Sequence, residues 1–131
     1  MIKATIKNIQ SQKSIHIVEF DFNGVTLKMM SLELSNRIKI GTKVSLSIKS
    51  TQITIAKNIT GMLSCSNKIH AKINHVDNGE LLSCILLDIN GVLLESIITA
   101  SASKQMVLQK DDEVHVFIKA SEISILEILD V

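Results

Sequence analysis

Two lysines in this chain stand in nearly the same company. Ile48-Lys49-Ser50-Thr51 and Ile118-Lys119-Ala120-Ser121 each place a cation, then small residues, at the close of a strand-like run. Small side chains at a strand end leave backbone N–H groups open. A lysine beside them adds a compact positive charge, and a Ser or Thr hydroxyl adds another donor. Those are the parts needed to hold a tetrahedral oxyanion, whose oxygens each accept several hydrogen bonds. Charge-assisted bonds of this kind are roughly twice as strong as neutral ones. A single lysine ending a strand is usually only solvated, so the recurrence is what makes these two candidates.

Other reactive side chains are poorly arranged for chemistry. His16, His70, His75 and His115 share no metal-ligand spacing, and His70 and His115 fall on the polar face of strand patterns, as solvated histidines do. Cys65 and Cys84 are too few and too far apart for a zinc signature, and Cys84 reads as a small buried residue. Asp111-Asp112-Glu113 reads as a solvated turn ahead of a strand. No Gly-rich phosphate loop, nucleophile elbow or paired-carboxylate pattern is present, so the expectation is a binding protein and not an enzyme. Direct side-chain coordination of a metal is not expected either.

The lysines recur because the chain repeats itself. Ile2-Lys-Ala-Thr-Ile6 matches Ile69-His-Ala-Lys-Ile73, and Asp21-Phe-Asn-Gly-Val25 matches Asp88-Ile-Asn-Gly-Val92, both at an offset of 67. Val44-Ser-Leu-Ser-Ile48 matches Val114-His-Val-Phe-Ile118, and Ile53-Thr-Ile55 matches Ile123-Ser-Ile125, both at an offset of 70. The slip between the two offsets falls between Met30 and Lys43, where a loop absorbs an insertion at low cost. The expected organisation is a first repeat at 1–57, a connector at 58–63 and a second repeat at 64–131. Modules of about 60 residues bury only about 60% of their unfolded surface. With 46% hydrophobic residues among 131, self-association is a reasonable way to bury more.

A formal charge of +1 argues against a large basic field for DNA or anionic membranes. No apolar run approaches the ~20 residues that span a bilayer, and the first residues enter a strand pattern at once instead of a signal-peptide core. The cysteines have no counterparts in the first repeat, which favours free thiols and a cytoplasmic location.

Positioning falls to strands. Apolar residues alternate with polar ones at Ile2/Ala4/Ile6, Val44/Leu46/Ile48 and their repeats, the period of half-buried strands. Asn23-Gly24 and Asn90-Gly91 read as tight hairpin turns. Five strands per repeat follow, at 2–9, 14–22, 25–30, 43–49 and 52–56, then 69–76, 81–89, 92–99, 113–119 and 122–129. Ser31–Ile38 and Ser101–Leu108 each open on a serine and carry apolar residues near helical spacing, predicting one short helix per repeat with the serine as N-cap. The expected fold is all-β: two tandem OB-like five-stranded barrels, each with one short helix.

On these residues the chain resembles a known family. Ser64-Cys-Ser-Asn67-Lys-Ile-His-Ala-Lys-Ile73, the Asn-Gly turn, Ile98-Thr99, Met106 with Leu108, and Ile118-Lys-Ala-Ser121 resemble the Mop, or TOBE-type, domain of molybdate-binding proteins. The tandem arrangement is similar to that of the di-Mop molbindins. The resemblance covers the second repeat and, more faintly, the first. It implies an OB-like barrel that binds molybdate or tungstate at interfaces between modules or subunits, in homo-oligomers that are trimers or dimers. It implies an opening loop of Ser64, Cys65, Ser66 and Asn67, a strand-end cradle of Lys119, Ala120 and Ser121 with Lys49 and Ser50 in the first repeat, and donors at Thr99 and Ser101 to Ser103. The chain departs from the family where Ser66 replaces an arginine, where Ala102-Ser103 inverts a Ser-Ala pair, and where the first repeat lacks the opening loop and the Ile-Thr pair.

The function expected is therefore an intracellular molybdate- or tungstate-binding protein that stores, buffers or senses the anion. One alternative is a structural or regulatory interaction module with decayed anion sites. The other is an OB-type nucleic-acid-binding module, which would need exposed aromatics; the chain has three Phe and no Trp or Tyr.

Overall fold

The computed structural model describes residues 2–129; Met1, Asp130 and Val131 lie outside the described residues. Ten strands follow one another: β1 (Ile2–Gln12), β2 (Ile15–Phe22), β3 (Val25–Ser31), β4 (Lys43–Ile48), β5 (Thr54–Ala56), β6 (Asn67–Asn78), β7 (Leu82–Ile89), β8 (Val92–Thr99), β9 (Glu113–Ile118) and β10 (Ile123–Leu129). Short 3-10 turns, Ser50–Gln52 and Ala120–Glu122, precede β5 and β10. The strands form two five-stranded sheets, ordered β10-β4-β1-β2-β3 and β5-β9-β6-β7-β8.

Each repeat supplies four strands to one sheet and sends its fifth to the other. β10 pairs antiparallel with β4, Ile123 opposite Ile48, while β5 pairs with β9, Ile55 opposite Val116. The compact units are accordingly discontinuous: unit 1 is Met1–Ile48, Cys65–Asn67 and Lys119–Val131, and unit 2 is Lys49–Ser64 and Lys68–Ile118. The pattern Ile-x-Ile that marks both final strands fits either sheet, so alternation alone does not choose a partner.

In unit 1 the core is Ile6, Val18, Phe20, Phe22, Leu27, Val44, Leu46 and Ile123; edge strands β3 and β10 approach each other, so the sheet curls. In unit 2, Ile53 and Ile55 join Ile69, Ile73, Ile85, Leu87, Ile89 and Val116. All three phenylalanines are inside, at 0% (Phe20), 1% (Phe22) and 7% (Phe117) exposure.

The two sheets also match in backbone detail. Bulges fall between Ile6 and Asn8 on β1 and between Ile73 and His75 on β6. Asn23 (φ 51) and Gly24 (φ 88) are matched by Asn90 (φ 50) and Gly91 (φ 92), the double positive φ of a type I′ hairpin turn. In each, the Asp side chain that opens the turn accepts from the glycine N–H, at 3.1 Å for Asp21 and 2.7 Å for Asp88.

The helices are not duplicated. α1 (Ala100–Gln105) is the one α-helix among the described residues, and Ser31–Ile38 forms no helix. There Ser31 Oγ accepts from Glu33 N–H and Ser35 Oγ accepts from Arg37 N–H, so both serines hold the backbone in local turns that compete with helix. α1 is capped by Thr99, whose Oγ1 accepts from Ala102 N–H at 3.2 Å, not by Ser101. The helix is held from below as well: Asn78 Oδ1 accepts from Ser83 Oγ (2.6 Å) and Ser103 Oγ (2.8 Å), and both serines are 1% exposed.

Candidate functional site

β3 ends its sheet, so its outward peptide groups need partners from elsewhere. Lys28 sits mid-strand, opposite Glu19 on β2. On its free side its N–H donates to Asn67 Oδ1 at 2.7 Å and its carbonyl accepts from Asn67 Nδ2 at 2.9 Å. The Asn67 carboxamide thus behaves like one residue of an added strand. It is 1% exposed, which fixes the preceding loop where Ser66 is exposed and Cys65 half-buried.

The Ala120–Glu122 turn packs against the same strand. Lys119 leads into it in extended conformation (φ −65, ψ 143), and its carbonyl accepts from Glu122 N–H at 2.9 Å. Lys119 and Ser121 are exposed, Ala120 half-buried. Among the described residues neither Lys28 nor Lys119 has an ion-pair partner. Unit 1 therefore brings Cys65, Ser66, Asn67, Lys119, Ala120 and Ser121 to the β3 edge. The anchoring role of Lys28 was invisible in sequence, where it is one polar residue in an alternating strand.

The remaining candidates, Lys49, Ser50, Ser64, Thr99 and Ser101, belong to unit 2. Lys49 repeats the geometry of Lys119 (φ −71, ψ 134), and the following turn packs on β8. The tie there is different: buried Ser96 donates from Oγ to Ile53 carbonyl at 2.7 Å. The Thr99 hydroxyl is engaged as the cap of α1 and lies 3.3 Å from Ser101 Oγ.

Charged groups outside the cradle depart from expectation. Asp112 is no solvated turn residue. Its carboxylate accepts from Gln109 N–H at 2.9 Å and from Lys57 Nζ at 3.0 Å, and these bonds, the backbone one first, hold its pKa below the ordinary carboxylate value. Lys57 Nζ also donates to the carbonyls of Met106 (3.2 Å) and Val107 (3.0 Å), a cation at the C-terminal end of α1. Cys84 is half-buried rather than buried, and its thiol is pushed up by partial desolvation and then by the Glu95 carboxylate. Both cysteines are free. His70 and His115 meet edge to face at 5.9 Å. Among the described residues no group of three or more His, Cys, Asp or Glu side chains is placed to hold a metal ion. No helix among them is long and apolar enough to cross a membrane.

Residues 63–125 match the TOBE domain. The fold is similar to that of the cytoplasmic molybdate-binding protein ModG, solved with molybdate bound, with a TM-score of 0.88, 19% sequence identity, and coverage of 95% of this chain and 92% of that one. A molybdate-binding protein from Sporomusa ovata aligns along 100% of its own length with 51% of this chain, at 27% identity and a TM-score of 0.49. No curated protein matches the sequence.

Proposed function

We propose that the protein binds molybdate or tungstate as an intact oxyanion, without catalysing a reaction, and serves to store, buffer or sense it in the cytoplasm. The observation that carries this reading is the gathering of Asn67, Lys119 and Ser121 at the edge of β3, with no ion-pair partner for the lysine among the described residues. The TOBE match over 63–125 and the likeness to ModG support the same ligand class.

The chemistry follows from the parts. A dianion leaving water needs its lost hydrogen bonds replaced and its charge offset. Lys119 supplies charge, and the Ser66 and Ser121 hydroxyls with nearby backbone N–H groups supply donors. A micromolar dissociation constant corresponds to about 8 kcal/mol, within reach of a handful of charge-assisted bonds. Sulfate carries the same charge in a smaller shell, so discrimination against it rests on cavity size.

The cradle lies at the surface, and a second copy of the chain would close it. Exposed Met30 (47%), Leu32 (70%) and Leu126 (69%) lie along a groove of about 960 Å³ in unit 1, between β3 and β10, and give such a contact apolar area. The proposal includes a homo-oligomer, a trimer ahead of a dimer, with the anion near the contact.

Isothermal titration with molybdate, tungstate and sulfate tests the reading. The first two should bind with micromolar or better affinity and sulfate at least tenfold more weakly, and Lys119→Ala should abolish the difference while the assembly, followed by native mass, persists. An intact oligomer that releases no heat with any of the three would leave a structural module with decayed sites.

A further inference from the structure

The two repeats serve as internal controls for each other. Lys28 on β3 and Glu95 on β8 occupy the same place: each lies in the last strand of its sheet, opposite Glu19 on β2 and Leu86 on β7 respectively. The structure joins Lys28 to the cradle twice over. Its peptide is the one gripped by Asn67, and its strand is the one the Ala120–Glu122 turn after Lys119 packs on. At Glu95 only the second tie recurs among the described residues: the turn after Lys49 packs on β8, but no side-chain amide grips the Glu95 peptide, and its carboxylate lies beside Cys84.

The Lys28 side chain is exposed, lies between buried Leu27 and Met29, and has no ion-pair partner among the described residues. Its flexible four-carbon stem carries a strongly hydrated charge. With Asn67 holding the main chain, that charge is tethered at the cradle at little cost in order.

We propose that Lys28 is a second cation of the oxyanion site in unit 1, acting on the anion with Lys119. The inference rests on the oxyanion reading given above. One lysine leaves a dianion half neutralised; two bring the site to balance. The equivalent position in unit 2 carries a carboxylate and would repel the same ligand.

The test is titration of the intact protein with molybdate at low ionic strength, using the wild type, Lys28→Gln, Lys28→Glu and, as a charge-matched control, Lys13→Glu on the β1–β2 turn. Lys28→Gln should weaken binding about three- to tenfold and Lys28→Glu more than about tenfold, with a shallower dependence of affinity on salt. Lys13→Glu should stay within about twofold, the scale of a distant screened charge. If Lys28→Glu matches the wild type, or Lys13→Glu loses as much as Lys28→Glu, Lys28 has no special role while the oxyanion reading stands. If the wild type itself binds neither molybdate nor tungstate, that reading fails and this inference with it. Should Lys28→Glu fold poorly, Lys28→Gln keeps the stem and decides the question alone.

Discussion

Asn67 is the residue whose loss should be felt most widely. Its carboxamide makes two hydrogen bonds to one peptide from a site that is almost fully buried. Such bonds contribute about 0.5–1.5 kcal/mol each, and removing one partner strands the other. Asn67→Ala should therefore cost about 2–3 kcal/mol in urea unfolding and also weaken anion binding, whereas Ser66→Ala should affect binding alone. Asp112 gives a second test. Its folded pKa lies below the unfolded value, so its contribution is present above the ordinary carboxylate range and lost as pH falls through the folded value. In thermal melts, wild type should exceed Asp112→Asn near pH 7, and the gap should close toward pH 3. Asn67 stood in the sequence as part of a recognisable loop, but its partner 39 residues away did not. Side-chain-to-backbone contacts across that distance leave no periodic trace.

Strands were the legible elements, because alternation and Asn-Gly turns are local and the tertiary structure agrees with both. All ten strands fall within a few residues of expectation. The helices were half legible. Ser31-Leu-Glu-Leu and Ser101-Ala-Ser-Lys look alike as N-termini, yet only the second is helical. Its capping hydroxyl belongs to Thr99, and its underside is tied to Asn78 through Ser103. Thr99→Ala should remove about 1 kcal/mol of stability, seen as a lower melting temperature. Ser31→Ala should do less, since it only loosens a surface turn.

At the scale of the molecule, the exchange of final strands was not legible at all. Ile53-Thr-Ile55 and Ile123-Ser-Ile125 carry the same pattern, and burial in one sheet or the other satisfies it equally. The exchange makes a direct prediction for separated repeats. Segments 1–62 and 63–131 produced apart should each lack a strand of their sheet and stay largely unfolded. Mixed, they should recover β-sheet circular dichroism and a cooperative melt. Independent folding of either segment would mean the strand from the other repeat is dispensable.

β10 has a consequence in time. Of the ten described strands it is the last to be made, and it completes the sheet that the first four begin. On the ribosome those early strands must wait with one edge open until β5 to β9 and then β10 have emerged. Nascent chains are thus exposed to edge-to-edge aggregation in the interval between β4 and β10, and a stop before Ile123 would leave that edge permanently bare.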